Sequence, residues 1–216
     1  MSLAHVLLRQ CGKPTGWLGR LTLWRMNRSH SKLTEWGLGQ LPIGKAEAIL
    51  DIGCGGGATI ARLAALATDG KVYGVDYSED SVAASRATNE RLIAAGRVEI
   101  SQASVSELPF ADDRFDVVIA VETHYYWPHL ESDVAETLRV LKPGGTFALI
   151  AEAYKGGKYD RLLQRLDMLQ QRGIMNFALL TASEHNALLS AAGYSDVEVV
   201  EQYEKGWLCA TGRKGR

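Results

Sequence analysis

The sequence predicts an α/β domain built on a doubly wound, mostly parallel seven-stranded sheet, with helices on both faces and an antiparallel hairpin at the C-terminal end. Three observations predict it. From residue 48 onward, short β-rich runs alternate with helical patterns, as successive βαβ units require. The apolar run Ile49-Leu-Asp-Ile leads directly into a glycine-rich turn and then a helical pattern. Near the end, two β-rich runs are separated only by a short turn around Lys205-Gly206.

Strands are expected at 48–52, 71–76, 97–101, 115–121, 145–151, 196–203 and 207–212. After the first, Ile60, Leu63, Ala64 and Ala67 share one helical face, and Gly70 ends that segment. Ser78 is placed to cap the next helix, with Glu79 and Asp80 in the first turn where the helix dipole favours acids; Gly96 closes it. Leu130, Val134, Leu138 and Leu141 mark a further helix, stopped by Lys142-Pro-Gly-Gly145. Thr181-Ala-Ser-Glu184 reads as a capping box before a helix carrying Leu188 and Leu189, with Gly193 as its stop. Residues 1–45, with helical character, and 153–182 fall outside the alternation and read as lids on a single domain. Its ligand-binding core is then 46–152, and 183–216 form the terminal helix and hairpin.

A chain of 216 residues with 46% apolar content builds one core and is short for two domains. Its 24 basic and 25 acidic residues leave no global field to gather nucleic acid or anionic lipid, so neither is an expected partner. No apolar run approaches the roughly 20 residues that span a bilayer, and no secretory signal opens the chain, so a cytoplasmic protein is expected. Cys11, Cys54 and Cys209 are odd in number and far apart, and the five histidines are scattered, which argues against a disulfide framework or a metal site.

The most informative stretch runs from Ile49 to Ile60. Its glycines permit positive φ and let a ligand lie against bare backbone at the strand's carboxyl end. Gly53-Cys-Gly55-Gly-Gly57-Ala58 alone fits more than one nucleotide-binding pattern. Asp51 tilts the choice: a carboxylate beside the turn repels a pyrophosphate at the helix N-terminus but tolerates a cationic, phosphate-free ligand such as S-adenosylmethionine. Asp76, ending the second strand, is placed to accept from two ribose hydroxyls in either ligand class. Cys54 has no histidine fixed beside it in sequence, and packing explains it better than nucleophilic chemistry.

With these residues in view, the chain resembles the class I S-adenosylmethionine-dependent methyltransferases, a Rossmann-like family, and in particular the small-molecule group that includes quinone-biosynthesis-like enzymes. Four motifs carry the resemblance in order: Ile49-Leu-Asp-Ile-Gly-Cys-Gly-Gly-Gly, Gly74-Val-Asp-Tyr-Ser, Ala103 to Phe110, and Leu138 to Gly145. It implies that Asp51 and Gly53 lie near the cofactor's methionine part and that Cys54, Gly55 and Gly57 form the turn that admits it. It further implies that Asp76 holds the ribose, that Tyr77, Ser104 and Val105 flank the adenine, and that the Ala120 carbonyl faces the methionine amino group. Two departures stand out. Ser104 replaces the family's adenine-contacting Asp, a neutral and weaker partner. Val121-Glu-Thr-His-Tyr-Tyr-Trp-Pro128 replaces a more apolar segment.

Methyl transfer is an in-line displacement whose main requirement is to hold the acceptor about 3 to 3.5 Å from the methyl carbon. A base matters only for a protonated acceptor; His124 is the first candidate and Glu122 the second, with His30 more remote. His30, Trp36, Tyr125, Tyr126 and Trp127, together with Trp24, are candidates for the acceptor pocket. The expected partner is a small-molecule methyl acceptor, and the expected state a monomer or homodimer. The alternatives are a protein that binds the cofactor without turnover and a nicotinamide-dependent reductase. The latter leaves Lys-Pro-Gly-Gly and Leu-Pro-Phe unexplained.

Overall fold

The computed structural model describes residues 30–160 and 179–216. Cys11, Trp24 and most of each expected lid lie outside the described residues. A first helix, α1 (Ser31–Leu38), precedes β1 (Ala48–Ile52) and α2 (Ala58–Leu66). Then come β2 (Lys71–Asp76), α3 (Glu79–Thr88), α4 (Glu90–Ala94) and β3 (Val98–Gln102). The second half comprises β4 (Phe115–Val121), a 3-10 turn (His124–Tyr126), α5 (Leu130–Val140), β5 (Leu141–Ala151), α6 (Ala182–Ala191), β6 (Ser195–Gln202) and β7 (Trp207–Arg213).

The seven strands form one sheet in the order β3-β2-β1-β4-β5-β7-β6. β3, β2, β1, β4 and β5 pair in parallel, while β7 pairs antiparallel with both β5 and β6. The chain therefore winds outward from β1 in one direction to β2 and β3, and in the other from β4 to β5. The crevice at the carboxyl ends of β1 and β4 is the switch point, where open α/β sheets place their ligands.

Both faces of the sheet are packed. Leu33, Leu38, Ile60 and Leu63 of α1 and α2 cover one face against Ile49, Val117, Ile119 and Ile150. Val134, Val140 and Leu189 of α5 and α6 cover the other against Leu50, Val118, Phe147 and Leu149. Ile60 and Leu63 are fully buried, each contributing about 1.5–3 kcal/mol, and this burial, more than intrinsic helix propensity, holds α2 on the sheet. Gly74 lets α2 come this close, since a Cβ there would overlap the Ile60 side chain.

The expected single helix from Ser78 to Gly96 is two helices. Asn89 interrupts it, buried with its side-chain amide donating to Gly57 O (3.0 Å) and Ser85 O (2.9 Å), so helical continuity gives way to a tie onto the glycine turn. The third strand begins at Val98, one residue later than expected, although the Arg97 carbonyl already accepts from Val72 N–H at 3.0 Å; the Arg97 guanidinium group ties onto the carbonyls of Ala64, Ala67 and Gly70. The fifth begins at Leu141 instead of Gly145. Phe115 pairs with Leu141 and Val117 with Thr146, so the Lys-Pro-Gly-Gly turn bulges out opposite Asp116. Lys142 Nζ fixes that bulge at 2.8 Å from both Asp116 carboxylate oxygens. Ser78 caps α3 through Ser81 N–H, and the Thr181–Glu184 capping box of α6 forms as its sequence specifies.

Candidate functional site

The glycine turn is shaped by backbone that other residues avoid. Gly53, Gly55 and Gly57 take φ of 72°, 50° and 79°. Gly53 N–H and Cys54 N–H both donate to Val75 O, at 2.8 and 3.0 Å, locking the turn to the end of β2. A Cβ on Gly53 would overlap the Thr123 side chain, so the turn and the loop after β4 approach as closely as backbone allows. A Cβ on Gly57 would meet Asn89 and Ser85, and this third glycine serves helix packing.

Asp76 joins the two sides of the turn. Its Oδ2 accepts from Gly55 N–H (3.0 Å) and its Oδ1 from Ser78 N–H (2.9 Å). Burial raises its pKa, against the pull of those two backbone donors and of the Ser81 side chain. Asp51 is 1% exposed, and its Oδ2 has no hydrogen-bond partner among the described residues. Burial first, and then the charge of Asp76, pushes its pKa up to about 8. An unpartnered buried carboxylate oxygen costs about 1–3 kcal/mol, a deficit that a cationic ligand group lying against it would remove.

A cavity of about 300 Å³ opens at the carboxyl ends of β1 and β2. Asp76, Tyr77, Ala103, Ser104 and Val105, from the ends of β2 and β3, line it. Gly53 of the glycine turn and Thr123, Tyr126, Trp127 and Pro128 of the loop after β4 line it as well. Tyr77 stands at the rim, 44% exposed. Ser104 Oγ accepts from Ser106 N–H at 3.2 Å, and its hydroxyl hydrogen stays available as a donor. Trp127 is fixed by stacking on Phe147, with ring centroids 6.4 Å apart. The β1–β4 ladder ends at the pair Asp51–Ile119, so Ala120 is the first β4 residue beyond it at the switch point.

Other sequence candidates lie elsewhere. Cys54 does not line this cavity: its Sγ sits beneath Gly74, and burial and the two aspartates raise its pKa well above the ordinary thiol value. That is the packing role expected of it. Trp36 pairs with Trp207, ring centroids 5.8 Å apart, away from the cavity. Tyr125 is 3% exposed, with its hydroxyl donating to Glu122 Oε1 at 2.8 Å. His30 precedes α1, its Nε2 3.9 Å from Glu122 Oε2.

His124, the first candidate base, requires correction. It is fully buried, and its Nε2 meets His185 Nε2 at 3.2 Å. His185 Nδ1 lies 2.8 Å from Thr181 O, and a carbonyl only accepts, so that nitrogen carries the proton. His185 Nε2 is then the acceptor, and His124 Nε2–H the donor. Burial lowers both pKa values, keeping the pair neutral. A sealed histidine whose N–H is already committed to another ring is a structural link between the loop after β4 and α6, and it does not reach a ligand in the cavity.

Sequence reasoning missed Thr123 and Pro128, although both sit inside the loop it singled out. It also missed His185 and Glu152, for which no motif or spacing gives a signal. Among the described residues, no group of three or more metal-ligating side chains forms, and no helix is long and apolar enough to cross a membrane.

The glycine turn, the buried carboxylate ending β2 and the cavity beside them, on this sheet order, fit a class I S-adenosylmethionine-dependent methyltransferase. Comparison with known proteins agrees: residues 50–149 match a family model described as a methyltransferase domain, and the chain belongs to this family. It is 30% identical over 195 residues to the 27-O-demethylrifamycin SV methyltransferase of Amycolatopsis mediterranei, covering 87% of this chain and 70% of that one. It is 34% identical over 143 residues to the fatty-acid O-methyltransferase of Mycolicibacterium smegmatis, covering 64% of this chain and 50% of the relative. The sterol 24-C-methyltransferase of Neurospora crassa, 32% identical over 161 residues, is matched over 72% of this chain and 41% of its own length. Several curated relatives are thus much longer than the segment they share with this chain.

Solved structures share the fold. A Haloferax volcanii methyltransferase in complex with the activator Trm112 superposes with a TM-score of 0.77 at 20% identity, covering 93% of this chain and 96% of that one. Human N-acetylserotonin methyltransferase, solved with S-adenosylmethionine, gives 0.70 at 17% identity over 90% of this chain and 55% of that chain.

Proposed function

We propose that this chain moves the methyl group of S-adenosylmethionine to a small-molecule acceptor. The observation that carries the reading is the pair of buried carboxylates about one glycine turn. Asp76 is presented to a cavity, and Asp51 has an unpartnered oxygen beside the turn. Asp76 would hold the ribose and Asp51 and the Ala120 carbonyl the methionine end, with Gly53 and Gly55 giving the ligand access to backbone. Tyr77, Ser104 and Val105 would flank the adenine. The donor sets fit: carboxylates suit hydroxyls and an ammonium group, and a cation beside Asp51 would favour its ionised form, whereas a pyrophosphate would find there no compensating positive charge.

When bound, the cofactor supplies a methyl group on a sulfonium whose charge disappears on transfer. The chain's contribution is then to position and to exclude water. Gly53 packed on Thr123, and Trp127 stacked on Phe147, make the walls that meet these needs rigid. The expectation that 1–45 and 153–182 are lids belongs to the same proposal; of the second stretch, the described residues Lys155 and Thr181 form a β-bridge. The names of the relatives, which cover a rifamycin, a fatty acid and a sterol, support a small organic acceptor. Cys54 and Cys209 are free thiols, in keeping with a reducing cytoplasm, and a monomer or homodimer belongs to the same proposal.

Calorimetric titration with S-adenosylmethionine, its demethylated product and nicotinamide dinucleotides tests the reading. The first two are expected to bind and the dinucleotides not to; the reverse result overturns it. Asp76→Ala should weaken cofactor binding by about 1–3 kcal/mol while the protein stays folded.

A further inference from the structure

Across the switch point from the cavity, a group of side chains gathers where β4 and β5 end. Glu122 leaves β4 with a φ of 57°, outside the ordinary range for a non-glycine residue. Its Oε1 is doubly held, accepting from Tyr125 OH at 2.8 Å and from the Glu152 backbone N–H. The Tyr125 hydroxyl in turn accepts from Ala153 N–H at 3.2 Å, so the donors on Oε1 are themselves fixed. Oε2 accepts no hydrogen bond from a described residue and stands 3.9 Å from His30 Nε2. The Glu122 side chain is only 13% exposed.

The groups around it come from several elements. His30 precedes α1, Tyr125 belongs to the 3-10 turn, Glu152 and Lys158 follow β5, and Trp207 of β7 bonds the Glu152 side chain. Burial pushes Glu122 up to about 7. It also raises Glu152, with the charge of Glu122 adding to the effect. His30 is lowered by burial, against the pull of Glu152. The outcome is one carboxylate oxygen locked in place by its twin's donors, largely buried, and accepting no hydrogen bond from a described residue.

Resting on the methyl-transfer reading, we propose that the acceptor is a neutral hydroxyl compound and that Glu122 Oε2 takes its proton, with Tyr125, His30 and Glu152 as positioning residues. A carboxylate acceptor needs no base and would be repelled by two neighbouring carboxyl groups; a hydroxyl is a donor that fits a bare carboxylate oxygen. Glu122 receives the hydroxyl proton as the acceptor oxygen bonds to the methyl carbon. The pair of the broken carbon–sulfur bond stays on sulfur, and the acceptor ends one proton poorer and one methyl richer. Glu122 returns the proton to water.

The test uses matched compounds on one carbon frame that differ only in bearing a hydroxyl or a carboxyl group. They are titrated calorimetrically against the whole chain saturated with the demethylated cofactor product, and assayed for methyl uptake with S-adenosylmethionine. The hydroxyl members are expected to bind and turn over. Glu122→Gln, which keeps both acceptor contacts of Oε1, is expected to bind S-adenosylmethionine within about twofold of wild type, to lose roughly 100-fold in turnover, and to lose the rise in kcat/KM near pH 7. A Glu152→Gln variant is expected to shift the pH of that rise without abolishing it, and an unshifted profile would remove Glu152 from the positioning residues. Binding or turnover confined to the carboxyl members, equal handling of both, or a Glu122→Gln variant with wild-type turnover and pH profile each overturn the proposal. Failure of the wild-type chain to bind S-adenosylmethionine would instead bring down the methyl-transfer reading, and this proposal with it.

Discussion

The two halves of the crevice are built differently. On the β1–β2 side, the turn from Gly53 to Gly57, Asp76 and the 103–105 segment are three short pieces, each at the end of a strand, held mainly by backbone bonds to one another. On the β4–β5 side, the contacts are between side chains far apart in sequence. His124 meets His185 61 residues away, and Glu122 meets Glu152 N–H 30 residues away. The first half depends on local conformation that only glycine and a well-placed Asp provide. The second depends on whether α1, α6 and the strand ends dock correctly, so under the proposed function it is the half on which sequence change would alter the acceptor without disturbing the cofactor.

If that contrast holds, the largest effect belongs to a substitution where the halves touch. Gly53→Val forces a positive φ on a β-branched residue and drives its side chain into Thr123. Cofactor affinity should fall more than 100-fold, and the melting temperature by several degrees. Titration and thermal unfolding measure both, and unchanged affinity in the folded variant would break the comparison at its centre.

Asp51→Asn should separate binding from stability. The folded pKa of Asp51, about 8, lies above its ordinary value of 3.8. Its contribution to stability is therefore full below 3.8 and is lost as pH rises toward 8, at up to about 1.4 kcal/mol per pH unit. The Asn variant should lack this decline and be the more stable apoprotein at pH 8, while binding S-adenosylmethionine more weakly. Denaturant midpoints from pH 5 to 8 would show the flattened slope; a parallel slope would mean that Asp51 is not the strained group.

The β4–β5 half should respond to acid instead. His124 and His185 have folded pKa values below their ordinary 6.5, so the unfolded chain takes up protons first. Their contribution is full above 6.5 and is lost as pH falls below it, at up to about 1.4 kcal/mol per unit for each ring. His185→Gln should soften that acid loss between pH 6.5 and 5.5 and leave cofactor affinity at pH 7.5 within a few-fold. A large affinity change would show the two halves to be coupled more tightly than their hydrogen bonds suggest.

Much of the fold could be read directly. The strand-turn-helix at Ile49–Ile60, the Ser78 cap, the Thr181–Glu184 capping box and the C-terminal hairpin are local devices whose residues lie within a few positions of each other. The break at Asn89 escaped because its cause, the Gly57 carbonyl, is 32 residues distant. The Lys-Pro-Gly-Gly bulge escaped in part because Lys142 finds Asp116 only once β4 and β5 pair. On the cofactor side, Asp76, Tyr77, Ser104 and Val105 were identified from motif order and do meet at one cavity.

The sequence by itself determined the α/β class, the glycine turn and the carboxylates beside it, because hydrophobic period, positive φ and helix capping are properties of short stretches. Only the tertiary structure decided which polar groups of the 122–128 loop are sealed by packing. His124 reads as the better base and Glu122, two residues away, as the second, yet His124 is buried against His185 while Glu122 keeps an oxygen that accepts no hydrogen bond from a described residue. The physical reason is that desolvation and hydrogen-bond satisfaction depend on what packs around a group, and those neighbours come from distant parts of the chain.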